Sequence, residues 1–535
     1  MRYDILILNV IISVRYDILF LLVFSASIPF ASGKAADNSS SYPLPSSLNW
    51  GDQGNGTYIN PILNADYSDP DVIRVGEKYY MVASDFHFVG MQILESDDMV
   101  NWRILTQVYR RFAVEGKDLP GWDTNERYAG GSWAPAIRYH DGKFWIYFCT
   151  PHEGLFMTQA ESPEGPWSPL HCVKAVEKWE DPCPFWDDDG KAYLGRSQHG
   201  AGPIIVHRMS ADGRQLLDDG VTVYTGPVAE GTKFLKRNGY YYLSIPEGGV
   251  GTGWQTVLRS KSIYGPYEKR VVLEQGTTAI NGPHQGAIVD TPDGQWWFYH
   301  FQHNGALGRV VHLQPMHWSD DWPVIGIDID RNGIGEPVAV WTMPDIKKEV
   351  KVKSEQFATA SAKQAVANCS LFTFTSSSLD PVWQWNHNPA DEAWSLTEHP
   401  GKLTLHALKA PDFIHARNTL TQRVVGYRSE TTVCIDCSHI AEGGHAGLAC
   451  MGKTNEVLDI TKKEGKVWLR ITFDIPNKQY RFSRSTDGKT FTNVGEPFFV
   501  DFGNWKGVRF GIYHYNTLGD AGYITVKDVR TTQIK

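Results

Sequence analysis

A turn that returns five times constrains this chain more than any other feature. In each copy the turn ends in glycine, and aromatic or apolar residues in strand register follow within a few positions. The copies are Val75-Gly76-Glu77-Lys78-Tyr79-Tyr80-Met81, Asp141-Gly142-Lys143-Phe144-Trp145-Ile146, Asp189-Gly190-Lys191-Ala192-Tyr193-Leu194, Asn238-Gly239-Tyr240-Tyr241-Tyr242-Leu243 and Asp293-Gly294-Gln295-Trp296-Trp297-Phe298. Asp-Gly and Asn-Gly between apolar runs signal hairpins, because such turns need the positive φ that glycine adopts freely. The glycines stand 66, 48, 49 and 55 residues apart, and each interval fits one four-stranded sheet. A second echo pairs Glu161-Ser162-Pro163-Glu164-Gly165-Pro166-Trp167 with Lys261-Ser262-Ile263-Tyr264-Gly265-Pro266-Tyr267. It reads as turns between outer strands of the same units. Five sheets set radially make a β-propeller, whose blades bury their faces against one another. An aromatic-rich β-sandwich could show such turns by accident, but five ordered copies favour the propeller.

With 535 residues the chain exceeds what one hydrophobic core supports. The propeller is expected over residues 60–342, after a lead-in at 34–59. Residues 343–367, rich in Lys, Ala, Ser and Gln, read as a linker. From 368 to 535 apolar and polar residues alternate again, as in Leu403-Thr404-Leu405-His406-Ala407 and Val467-Trp468-Leu469-Arg470-Ile471, without the five-fold turn. That pattern suits a jelly-roll-like β-sandwich. The fold class expected is therefore all-β, a five-bladed propeller followed by a sandwich.

Residues 1–33 differ from the rest. Two apolar runs, Ile5 to Val14 and Ile18 to Phe30, precede Ala31-Ser32-Gly33, small residues of the kind a signal peptidase needs. A cleavable signal peptide is the expectation, with export to the periplasm or medium; together the runs could also anchor in a membrane. Arg2–Leu6 recurs as Arg15–Leu19, which leaves the start of this segment open. The net charge of −9 offers no electrostatic footprint for nucleic acid and no basic patch for anionic lipid. Seven cysteines are too few for a disulfide framework. Cys434 and Cys437 lack a second pair at zinc spacing and read as buried strand thiols.

In a propeller, residues upstream of each glycine turn converge on the central axis. Asp69, Asp181, Glu230 and His284 lie 7, 9, 9 and 10 residues before their glycines. Topology thus brings three carboxylates and an imidazole to one funnel. Glycoside hydrolysis uses one carboxylic acid to protonate the leaving oxygen and one carboxylate to act at the anomeric carbon or its water. A third carboxylate nearby raises the acid's pKa by like-charge repulsion. Aromatic walls, with Trp133 and Phe86 as candidates, would stack on the sugar. Strand alternation turns Asp71 to the same side as Asp69 but deeper, and turns Glu180 away from Asp181. Asp66 could compete with Asp69. His284 is either a buried core histidine or a ligand of water or metal at the axis. Arg309 could orient a carboxylate or sugar hydroxyl, or lie at the surface. Asp187-Asp188-Asp189 lacks the spacing of a calcium loop and reads as a solvated turn.

These segments resemble glycoside hydrolase family 43, five-bladed propellers that cleave pentose linkages. The opening stretch from Asn60-Pro61-Ile62-Leu63 to Ser68-Asp69-Pro70-Asp71 is similar to the one holding the family's general base, which implies that role for Asp69. Trp133-Ala134-Pro135 resembles the second-blade signature. Asp181-Pro182 with Phe185 matches the segment whose Asp orients the acid and tunes its pKa. Ala229-Glu230-Gly231 matches the general-acid segment, and Leu307-Gly308-Arg309 the substrate-binding arginine segment. His284 matches an axial histidine that helps some members hold calcium or water. The resemblance thus implies no required cofactor, with calcium at the axis as an option. Leu379-Asp380-Pro381-Val382-Trp383-Gln384-Trp385 and Ala416-Arg417-Asn418 resemble the sandwich of β-xylosidase-like members, which helps close the active site. Ala136 stands where many members carry Asp, and Thr232 where Pro is commoner.

The resemblance implies an exported, inverting exo-glycosidase acting on hemicellulose saccharides, with no nucleic-acid partner and no membrane association after signal cleavage. The main expectation is release of terminal α-L-arabinofuranosyl units. The alternative is a β-D-xylosidase on xylo-oligosaccharides, and a remote one is a non-catalytic carbohydrate-binding propeller. Single-funnel geometry with long bordering segments such as Tyr109 to Ala129 suggests a pocket and hence exo action.

Overall fold

The computed structural model describes residues 47–48, 50–124, 126–346 and 369–534. The candidate export segment lies outside these residues, as does nearly all of the candidate linker. Among the described residues there is no α-helix; the chain is strands, turns and two short 3₁₀ segments.

The five glycine turns are hairpins. Gly76, Gly142, Gly190, Gly239 and Gly294 have φ of 63, 72, 78, 72 and 88°, where a Cβ would be strained. Each joins the inner two strands of one antiparallel sheet. From the axis outward, blade one runs Asp71–Val75, Lys78–Val82, Gln92–Ser96 and Trp102–Gln107, with Ser47–Leu48 added at its rim. The inner strands of blades two to five are Trp133–His140, Trp179–Trp186, Lys233–Arg237 and His284–Asp290. The second echo forms turns between the third and fourth strands of blades two and four. In one, the Trp167 indole N–H donates to the Pro163 carbonyl (3.2 Å); in the other, the Tyr267 hydroxyl donates to that of Ile263 (2.7 Å).

Strand alternation explains why the blades pack radially. Successive side chains point to opposite faces, so each blade presents one apolar row to each neighbour. In blade four Tyr242 packs with Phe298 and Met316 of blade five, while Leu243 packs with Tyr193 and Val206 of blade three. Tyr79 and Met81 of blade one meet Trp297, Tyr299 and Leu313 of blade five, which closes the ring. The entering segment reinforces that closure. Thr57–Ile59 pairs with Val340–Thr342, and Leu63 bridges Val311 in blade five. Full burial of one such side chain contributes about 1.5–3 kcal/mol.

The C-terminal part is a sandwich of an eight-stranded and a six-stranded sheet, with its core between them. Val89, Ala306, Leu307 and Val310 of the propeller join its core, and polar bonds cross between the two. Arg423 is buried and pairs with Asp85; its Nε donates to the Asp66 carbonyl (2.6 Å). The Gly507 N–H donates to Asp66 Oδ2 (2.9 Å), and Val89 exchanges backbone bonds with Trp385. Cys434 and Cys437 are buried and unpaired. The Asp187–Asp189 turn departs from expectation. Asp187 is buried against blade four, where it takes the Tyr241 hydroxyl (2.5 Å) and Lys236, so only its two neighbours are solvated. Tyr241 and Lys236 lie 54 and 49 residues away, beyond any local reading of the turn.

Candidate active site

At one end of the axis a cavity of about 350 Å³ is lined by Asp69, Phe86, Trp133, Glu180, Asp181, Glu230, Arg309 and neighbours. Its geometry begins in the backbone. The residues where the inner strands start, Asp69, Ala134, Asp181, Gly231 and Gln285, all have positive φ (54, 35, 55, 62 and 44°). In blades three and five the ladder slips here, between Glu180 and Cys183 and between His284 and Gly286. Such bulges re-aim side chains at strand ends.

Asp69 and Asp181 occupy the kinked position itself. Glu230 precedes the kink, in the place held by Ser68, Trp133, Glu180 and His284 in the other blades. Counting from the glycine turns put all three carboxylates in one phase, and the structure corrects this by one residue. The same kink overturns the expected aim of Glu180. Simple alternation points it away from Asp181, but the bulge brings its carboxyl into the pocket.

Asp69 Oδ1 accepts from Arg309 Nη1 (2.8 Å), and Oδ2 accepts from the Ser84 and Ser68 hydroxyls (2.6 and 2.9 Å). Arg309 is buried and also reaches Ser68 (2.7 Å), so it orients this carboxylate and is no surface residue. Asp66 does not compete. Its oxygens take the N–H groups of Arg309 and Gly507 (2.8 and 2.9 Å), fixing the arginine's backbone and a sandwich loop together. Asp71 lies deeper, as expected, accepting from the Ile137 N–H and Arg138 (2.8 and 2.6 Å).

Asp181 Oδ2 accepts from the Gly231 N–H (2.7 Å) and the Ser197 hydroxyl (3.0 Å). Burial, and then the adjacent Glu230, push its pKa well above the usual carboxylate range. Glu230 Oε1 meets His284 Nε2 at 2.8 Å. His284 is fully buried beneath the pocket and is absent from its lining. It therefore supports Glu230 rather than binding substrate directly. The other ring nitrogen of His284, Nδ1, is buried with no hydrogen-bond partner among the described residues. One oxygen from each of Glu180, Asp181 and Glu230 lies within 4.8 Å of the others, and Asp69 stands outside that set.

Trp133 and Phe86 form part of the wall in edge-to-face contact, 6.5 Å between ring centres. The segment from Tyr109 to Ala129 lines nothing in the cavity; its last residue buttresses the wall by accepting from the Trp133 indole (2.8 Å). The lining residues not anticipated include Gln285, His199 and Trp505. Trp505 comes from the sandwich, in a loop between Thr492–Phe499 and Arg509–Asn516, and is 50% exposed. Its signal in the sequence is a tryptophan held between Gly503 and Gly507, a presentation loop.

Carboxyls converging on an aromatic-walled pocket at a propeller axis suit acid–base cleavage of a bound sugar. Comparison with known proteins makes the assignment more specific. Residues 58–323 match glycosyl hydrolases family 43, and residues 372–466 match the beta xylosidase C-terminal Concanavalin A-like domain. The chain belongs to glycoside hydrolase family 43. It is 56% identical over 480 residues to a Xylanibacter ruminicola protein named "Putative beta-xylosidase", covering 86% of this chain and 87% of that one. It is 36% identical to a beta-xylosidase of Formosa agariphila, covering 89% and 90%. A "Non-reducing end alpha-L-arabinofuranosidase" of Bacteroides ovatus is 31% identical over 65% of each chain. Among solved structures, the family 43 BlXynB protein of Bacillus licheniformis superposes with a TM-score of 0.73 at 26% identity, over 89% of this chain and all of that one.

Proposed function

We propose that the protein is an exo-acting, inverting β-D-xylosidase that releases terminal xylose from xylo-oligosaccharides, with Asp69 as general base, Glu230 as general acid and Asp181 as the carboxyl that keeps Glu230 protonated. The observation that carries the chemistry is the division of the pocket. Asp69 sits with a guanidinium and two hydroxyls, which fix its orientation. Glu230 sits beside the buried carboxyl of Asp181, with His284 on its Oε1. Two carboxyls held by such different partners suit the separate roles of base and acid. His284, protonated at Nε2, donates to Oε1 of Glu230 and leaves Oε2 to carry the catalytic proton.

Asp69 then takes a proton from water on one face of the sugar while Glu230 protonates the glycosidic oxygen on the other. Arg309 holds Asp69 aligned. Trp133, Phe86 and Trp505 exclude bulk water and supply faces for stacking.

The arabinofuranosidase expectation gives way to its alternative as the main reading. The relatives at 56% and 36% identity, aligned over most of their length, carry the beta-xylosidase name. Arabinofuranosidase action stands as a second reading, supported by the Bacteroides ovatus relative. The test is a side-by-side rate on para-nitrophenyl β-D-xyloside and para-nitrophenyl α-L-arabinofuranoside. A kcat/KM higher for the xyloside is expected. A clear preference for the arabinofuranoside would reverse the order of the two readings, and sugar retention without hydrolysis of either would leave a binding protein. Export remains part of the proposal; secretion of the full chain with cleavage near Gly33 would test it.

A further inference from the structure

Glu180 is the buried acid that the mechanism above leaves unused. It occupies in blade three the place that Glu230 occupies in blade four, with Asp181 between them. Its residue exposure is 7%, and its side chain lines the pocket. Oε1 accepts from the Ala201 N–H (3.1 Å), and Oε2 faces His199 Nδ1 at 3.5 Å. Among the described residues, neither Lys nor Arg comes within ion-pair distance of it. The cavity wall continues from Glu180 through His199, Gly200 and Ala201. An oxygen of Glu180 lies within 4.8 Å of one on Glu230, which ties this stretch of wall to the acid.

We propose that Glu180, steadied by His199, is a specificity-determining residue that hydrogen-bonds a hydroxyl of the leaving sugar. The inference rests on the assignment of Glu230 as the acid, since the sugar beyond the acid is the one that departs. Burial and the neighbouring Asp181 push the Glu180 pKa well above the ordinary carboxylate range, which favours its neutral form. A neutral carboxyl has one O–H to donate and a carbonyl oxygen to accept with. That combination suits a vicinal diol on a pentose and has nothing to offer a nitrophenyl ring. The arrangement thus selects saccharides over aryl aglycones by a contact made outside the cleaved sugar.

The test compares xylobiose with para-nitrophenyl β-D-xyloside in Glu180→Ala and Glu180→Gln variants, with thermal midpoints measured alongside. Loss of a hydrogen bond to substrate is worth roughly 10- to 100-fold where the remaining group stays buried and unpaired. Glu180→Ala should lose about that factor in kcat/KM on xylobiose and change on the aryl xyloside by less than about threefold. Glu180→Gln, which keeps a donor and an acceptor, should retain most xylobiose activity. Equal losses on both substrates would show that Glu180 acts through Asp181 or Glu230 and would overturn the proposal, as would unchanged xylobiose activity. If Glu180→Ala does not fold, the half-exposed His199→Ala carries the same comparison, with a smaller loss confined to xylobiose expected. A wild-type protein inactive on both substrates would instead refute the glycosidase reading beneath it.

Discussion

Replacing Glu230 by Gln is expected to cut kcat/KM on xylobiose by roughly 10²–10⁴-fold, the usual contribution of a positioned general acid. The same variant should lose far less on a dinitrophenyl xyloside, within about tenfold of wild type, because that leaving group departs without a proton. Glutamine keeps the shape of the side chain and can still accept from His284, so the fold should be unchanged. The pH profile should change as well. In the wild type, activity falls on the alkaline side when the acid loses its proton. Without a titrating group at position 230, the alkaline limb on the dinitrophenyl substrate should flatten. Steady-state kinetics on the two substrates between mild acid and mild alkali checks both points. Comparable losses on both would remove Glu230 from the role.

Asp69→Asn should behave differently. Water must be activated whatever the leaving group, so the loss of roughly 10²–10⁴-fold should be the same on xylobiose, nitrophenyl and dinitrophenyl xylosides. Asparagine is the substitution least confounded by strain. The residue sits at φ 54°, a region that Asn tolerates better than most side chains. Its carbonyl can still accept from Arg309, although the buried guanidinium loses its counter-charge. A modest drop in thermal midpoint should accompany the kinetic loss. Calorimetry separates the two effects, since an unfolded variant would lose its transition, whereas an inactive folded one keeps it.

How much of this was legible in the sequence depends on the range of the signal. The blades were legible because a hairpin is local: Gly76, Gly142, Gly190, Gly239 and Gly294 each declare a turn within a few residues. Topology then did the rest, carrying Asp69, Asp181, Glu230 and Arg309 to one cavity. Alternation failed where the backbone leaves the regular strand. Positive φ at Asp181 with the slip beside it turned Glu180 inward, and no count of residues shows a bulge. The one-residue offset of Glu230 has the same origin. Gly231 takes the kinked position that Asp69 and Asp181 fill elsewhere, so the acid projects from the position before it. His284 and Arg309 were located, but their partners were not, because a 2.8 Å contact between blades has no local trace. Trp505 was missed for a larger reason. It belongs to the sandwich, and its place in the pocket follows from contacts such as Gly507 with Asp66, 441 residues apart.

In the proposed mechanism Asp69 and Glu230 face each other across a bound sugar with a water between. In an inverting arrangement the carboxyls stand roughly 6.5–9.5 Å apart, against about 5–5.5 Å when one is a nucleophile. Stereochemistry reads this out directly. Proton NMR of para-nitrophenyl β-D-xyloside hydrolysis, followed faster than mutarotation, should show α-D-xylose as the first product, with the β-anomer rising later. Appearance of β-D-xylose first would mean a covalent glycosyl-enzyme and would contradict the assignment of Asp69 as a base acting on water.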